Sequence, residues 1–151
     1  MSNPTQTARD SSFPRKIRHI LVPIDMAERE QSEPAIEMAA WLARQTGARI
    51  TALTVAKPLG DAFTEMPEVH QPEFEGFVAE RSDHHAIPIE ALFRSHEAID
   101  HVIREVIDQL AVDFVVMATH QPRISDHLFG SHASQTALHN DCSVLVLRNS
   151  S

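Results

Sequence analysis

The sequence predicts an α/β fold: one domain built on a five-stranded parallel sheet with helices on both faces. Three observations predict it. Short apolar runs alternate with segments of helical period along the chain, the pattern of β-α-β crossovers. The apolar runs are continuous rather than alternating, as strands covered on both faces require. The length of 151 residues fits a single domain.

The elements follow in order. Residues 1–14 (MSNPTQTARDSSFP) are polar and unpatterned, which predicts a disordered tail ahead of a domain spanning 15–151. Ile17 to Asp25 (IRHILVPID) reads as a buried first strand. Ser32 with Pro34 opens a helix: serine suits the cap and proline the first turn. Ile36, Ala39, Ala40 and Ala43 line one face, and Gly47 stands where a left-handed cap belongs. Ala48 to Ala56 is strand two. Lys57 to Gln71, with two prolines and no period, reads as a long loop that is either a lid, a contact surface or a plain excursion. Glu73 to Arg81 is expected as a short helix. Ile87 to Phe93 is strand three, with Pro88 near its start.

Ser95 is expected to cap the next helix, whose Ile99, Val102, Ile103, Val106, Ile107 and Leu110 form a one-sided apolar stripe. Asp113 to Thr119 is strand four, His120 to Phe129 a loop, Gly130 to about Asn140 a helix, and Ser143 to Leu147 strand five.

Composition removes several function classes. Thirteen basic against 21 acidic residues leave a net charge of −8, which disfavours the polyanions nucleic acid and anionic membrane. No apolar run reaches the ~20 residues of a membrane helix and no signal peptide is visible, so a cytoplasmic location is expected. The single cysteine, Cys142, excludes an intrachain disulfide and a multi-cysteine metal site, and it reads as a buried, unreactive thiol. Neither GxxxxGK[ST] nor GxGxxG occurs.

In a doubly covered parallel sheet, ligands bind beyond the carboxyl ends of the strands where the strand order reverses. Those ends are Pro23-Ile24-Asp25, Val55-Ala56, Phe93-Arg94 and Ala118-Thr119-His120. Gly130-Ser131 then opens a helix. Unpaired N–H groups there favour an anion, though the same pair also serves as a plain turn and cap.

Three segments carry a resemblance over residues 16–148: HILVPID at His19–Asp25, VVMATH at Val115–His120, and FGSHASQTALHNDCSVLVLR at Phe129–Arg148. The chain resembles the universal stress proteins of the UspA-like superfamily. That resemblance implies the Rossmann-like, adenine nucleotide alpha hydrolase-like fold. It also implies an ATP site, with ADP or AMP as alternatives and Mg accompanying the phosphates. By the same resemblance Pro23 and Asp25 lie beside adenosine, with Asp25 accepting from a ribose hydroxyl. Val55 flanks adenine, and Met117 and Ala118 line the ribose side. Gly130, Ser131 and His132 offer N–H groups to phosphates. His120 is a family-typical position.

The family's nucleotide binders carry G-x-x-G, nine residues, then G-[ST]. Here Ala118 and Gln121 replace the first two glycines and the spacer is eight residues. Gln121 either crowds the phosphates or donates to them, and Arg123 brings positive charge. The function expected is a homodimeric, ATP-dependent stress sensor or adaptor, with slow ATP hydrolysis at most. The alternative is a nucleotide-free adaptor working through protein contacts with a signalling or transport protein. The resemblance further places the dimer contact on Ser143 to Leu147, with a tetramer as the larger assembly. A nucleotidyl transferase or ATP pyrophosphatase is disfavoured, since the chain has two lysines and no adjacent glycines.

The remaining singular residues have plain readings. His127, His132 and His139 lack the i, i+4 spacing of a helical zinc site. His84-His85 is expected in a solvated loop, and Met38 and Trp41 are expected to pack.

Overall fold

The computed structural model describes residues 16–56, 67–118 and 142–148. Five parallel strands form one sheet: β1 (His19–Pro23), β2 (Arg49–Ala56), β3 (Glu90–Ser95), β4 (Phe114–Ala118) and β5 (Ser143–Leu147), in the order β3-β2-β1-β4-β5. Three α-helices are described: α1 (Glu33–Thr46), α2 (Gln71–His85) and α3 (Ile99–Gln109). Short 3-10 turns over Met26–Ser32 and Pro67–His70 lead into α1 and α2.

The sheet separates two apolar layers. Because side chains alternate along a strand, Ile20 and Val22 of β1 and Ile50 and Ala52 of β2 pack with Ile36, Ala39 and Ala43 of α1 and Phe74 and Val78 of α2. Leu21, Leu53, Val115 and Met117 point the other way, against Val102, Ile103, Val106 and Ile107 of α3. Every residue of β1 is buried, as its uninterrupted ILV run predicts.

Helix α3 forms from the stripe seen in the sequence, with Ile99, Val102, Ile103, Val106 and Ile107 all buried. Helix α1 ends at Gly47, whose φ of 75° lets its N–H reach the Ala43 carbonyl. The five strands and the order of described elements match expectation; several boundaries and local roles do not. Ser32 sits at the N-cap of α1 but makes no cap with its side chain. Its hydroxyl donates back to the Arg29 carbonyl inside the preceding 3-10 turn. Ser95 is the last residue of β3, and Ala98 occupies the N-cap of α3. Strand β3 starts at Glu90, beyond Pro88, which lacks the N–H a ladder needs.

The expected loop through Gln71 ends earlier: Pro67–His70 is a 3-10 turn and Gln71 is already helical. Helix α2 runs to His85, well past Arg81. It is polar on nearly every side and buries only Phe74 and Val78, one turn apart. Phe74 meets Phe93 of β3 with ring centroids 6.5 Å apart. So short an apolar contact carries little periodicity, which is why the sequence marked this helix weakly. His84 and His85 belong to its last turn rather than to a loop. Trp41 does not pack: it is 52% exposed on the outer side of α1, whereas Met38 packs against the core.

Residues 1–15, 57–66, 119–141 and 149–151 lie outside the described residues. The expected tail, most of the long loop, and the loop and helix from His120 to Asn140 therefore lie outside them too.

Candidate functional site

The sheet's reversal point falls between β1 and β4. From β1 the chain steps outward to β2 and β3, then returns to β4 and steps outward to β5 on the other side. The α1 and α2 crossovers thus cover one face and α3 the other. In a sheet of this kind that reversal is where a crevice forms, at the carboxyl ends of the two central strands.

The register shows where the crevice begins. Strand β1 pairs with β4 only at Ile20–Phe114 and Leu21–Val115. Yet β1 stays paired to β2 through Pro23–Leu53, and β4 stays paired to β5 through Ala118–Leu147. The two central strands therefore part over their last residues while each keeps its outer neighbour. Ile24 continues along β2, its N–H donating to the Leu53 carbonyl at 2.8 Å.

Asp25 stands at the rim. It is half-buried at the N-cap of the Met26–Ser32 turn, and its Oδ1 accepts from the Ala27 N–H at 3.0 Å. Its own carbonyl accepts from the Glu28 N–H at 2.9 Å. This local turn fixes the carboxylate at the strand end, the role aspartate commonly fills at a cap.

The other expected residues divide into three groups. Pro23 is buried as the last residue of β1. Val55 is half-buried on β2, two residues beyond Leu53, the last β2 residue paired with β1. Met117 and Ala118 are fully buried at the end of β4. Met117 packs with Leu21, Leu53 and Ile99 beneath α3, so its side chain belongs to the core. Ala118 pairs with Leu147, and its methyl, with no exposed surface, is absorbed into the packing. His120, Gln121, Arg123, Gly130, Ser131 and His132 lie outside the described residues.

The amino ends of the same strands hold a polar hub that no sequence pattern announced. The Asp113 carboxylate accepts from the Arg18 N–H at 2.9 Å and from the His19 N–H at 3.4 Å. The Asp113 N–H donates to the His19 carbonyl, and its own carbonyl accepts from the Ser143 N–H. One residue thus ties β1, β4 and β5 at the end of the sheet opposite the crevice. Nearby Cys142 has its thiol pushed up to about 11, first by burial and then by the Asp113 charge. That fits the inert thiol expected.

A third polar cluster joins α1 to α2. Glu33 Oε2 accepts from Arg81 Nη1 at 3.1 Å, and Glu33 Oε1 lies 3.0 Å from His85 Nε2. Arg29 pairs with Glu73 at 2.8 Å, and Arg44 Nη1 donates to the His85 carbonyl at 3.1 Å. Burial works against the Arg81 charge, but Glu33 and Glu80 outweigh it and hold the guanidinium pKa above its usual value. These partners lie 41 to 52 residues apart, so no local spacing could announce them.

No helix among the described residues is long and apolar enough to cross a membrane.

Comparison with known proteins agrees with the architecture. Universal stress protein G of Shigella flexneri is 31% identical over 143 residues, covering 85% of this chain and 97% of that protein. The UspA structure from Lactobacillus plantarum superposes with a TM-score of 0.64 at 20% identity, covering 88% of this chain and 99% of that one. An Archaeoglobus fulgidus universal stress protein, solved in complex with dAMP, superposes with a TM-score of 0.60 at 17% identity, covering 87% and 98%. The family model for universal stress proteins matches residues 16–148, which include all five strands and the crevice between β1 and β4; the chain belongs to the universal stress protein family.

Proposed function

We propose that this protein binds an adenine nucleotide, with ATP the first candidate, at the parted ends of β1 and β4, and that it works as a homodimeric regulatory sensor or adaptor. The observation carrying this reading is the early end of β1–β4 pairing, with the half-buried Asp25 carboxylate at its rim. A carboxylate there can accept from a ribose hydroxyl, the polar contact that orients a nucleoside in such a crevice. Val55, two residues past the last β1–β2 pair on the neighbouring strand, supplies an apolar flank for a base. The dAMP complex of the Archaeoglobus protein supports an adenine ligand. Burial of the Ala118 methyl supports tolerance of alanine where the family's binders have glycine.

In this reading the Gly130-Ser131 helix start and His132 hold the phosphates through N–H groups, and Gln121 and Arg123 add donors. The dimer forms through β5, an edge strand of the sheet whose outer backbone groups face no other strand of the chain among the described residues. A cytoplasmic location fits this role.

Nucleotide release tests it. The purified protein is denatured and the supernatant resolved by ion exchange, beside a Gly130→Asp variant that places a carboxylate where phosphates belong. Adenine nucleotide released by the native sequence and absent from the variant supports the proposal. An empty native protein that also gives no heat with Mg-ATP overturns it and leaves the nucleotide-free adaptor. Sedimentation equilibrium returning twice the 16.9 kDa chain mass supports the dimer, and a monomer refutes it.

A further inference from the structure

We propose that Glu33, His84 and His85 form a binding site for a divalent transition metal, with zinc the best match. The site is built from residues other than those of the strand-end crevice and lies where the first residue of α1 meets the last turn of α2. One ligand atom from each of the three side chains falls within 4.8 Å of the others. A tetrahedral zinc ion with bonds of roughly 2.0–2.1 Å sets its ligands about 3.3 Å apart. His85 Nε2 and Glu33 Oε1 are already 3.0 Å apart. The His84 and His85 rings stand edge to face with centroids 4.9 Å apart, and closing the triad onto an ion would draw its ligand atoms in from a spread of up to 4.8 Å.

The donor set fits the ion. Two imidazoles and one carboxylate, with water in the fourth position, is a nitrogen-oxygen set suited to zinc and poorly suited to calcium or magnesium. The surroundings also support a cation. Arg81 holds Glu33 Oε2, which turns Oε1 toward the histidines and fixes the carboxylate as a one-oxygen ligand. Its own charge is offset by Glu80, 3.1 Å from the second guanidinium nitrogen. The adjoining groove is lined by Glu30, Glu33, Glu73 and Glu80 against Arg29 and Arg81, so it carries net negative charge. Without metal, the His85 ring can donate from Nε2 to Glu33. With metal, Nε2 offers its lone pair and the ring proton moves to Nδ1.

A metal here would bridge α1 and α2, the helices that cover one face of the sheet. Binding would then stabilise the docking of α2, which rests on few apolar side chains.

The test uses the full-length, tag-free protein. Zinc is titrated against a chromophoric chelator near neutral pH, and cobalt absorption reports the coordination geometry. His84 is exposed, so His84→Ala should leave folding intact, which circular dichroism checks. One zinc equivalent is expected to weaken at least about tenfold in His84→Ala and in Glu33→Gln. His101→Ala, at the separate His96–His101 ring pair, should leave it unchanged. Absence of competition by the native protein at micromolar zinc overturns the proposal. So does equal zinc binding by the native protein and His84→Ala, or loss of the same equivalent in His101→Ala.

Discussion

The imidazole of His19 lies with its Nε2 2.7 Å from the Thr51 hydroxyl, joining β1 to β2 inside the layer beneath α3. Its Nδ1 is 3.1 Å from the Leu110 carbonyl at the end of α3. A carbonyl only accepts, so Nδ1 carries the proton and Nε2 accepts from Thr51. Both polar partners are buried, and removing one strands the other. Thr51→Val should therefore cost about 1–3 kcal/mol in chemical denaturation. Bound nucleotide should not change, because this contact lies toward the opposite end of the sheet. A cost below measurement error would show that the ring is satisfied without Thr51.

Asp25 offers a prediction with two separable readouts. Asp25→Ala removes the acceptor for the Ala27 N–H, at a cost of about 0.5–2 kcal/mol. If the carboxylate also holds a ribose, adenine-nucleotide affinity in titration calorimetry should fall at least about tenfold. Lost stability with unchanged affinity would make Asp25 a cap and nothing more.

Two backbone positions should respond in opposite directions. Gly47 has a φ of 75°, and a methyl added to its Cα would meet nothing within 4 Å, so Gly47→Ala suffers conformational strain without a clash. It should destabilise by about 1 kcal/mol. Ala86 has a φ of 52° at the end of α2, where glycine would relieve the same strain. Ala86→Gly should raise stability by up to about 1 kcal/mol, after the entropic cost of glycine in the unfolded chain. Denaturation midpoints check both.

Cys142 should resist alkylation at ordinary pH. With its pKa pushed up to about 11, the thiolate fraction at pH 8 is about one in a thousand. Iodoacetamide should react slowly with the native protein and quickly with the denatured one. Native rates should rise steeply between pH 9 and 11. The native state holds the proton more tightly there, so this group's contribution to stability is complete below pH 9 and declines as pH rises toward 11. Asp113→Asn should lower the thiol pKa and speed labelling; an unchanged rate would leave burial as the whole cause.

The amino-acid order by itself marked the strands, α1 and α3, because each is written in local terms, whereas the reversal point between β1 and β4 came from the strand order of the folded sheet. The continuous ILV of β1, the stripe from Ile99 to Ile107 and the glycine after α1 need no distant partner to be read. Asp25 was legible as a strand-end acid for the same reason, while its expected contact with a ribose came from the family resemblance. Helix α2 was only half visible, since its docking depends on Phe74 meeting Phe93 and on Glu33 reaching Arg81 and His85. The tertiary structure alone decided these pairings, the Asp113 hub, the His19–Thr51 bond and the point where β1 leaves β4. Each joins residues far apart in the chain, whose polar groups find partners only once burial has removed water from around them.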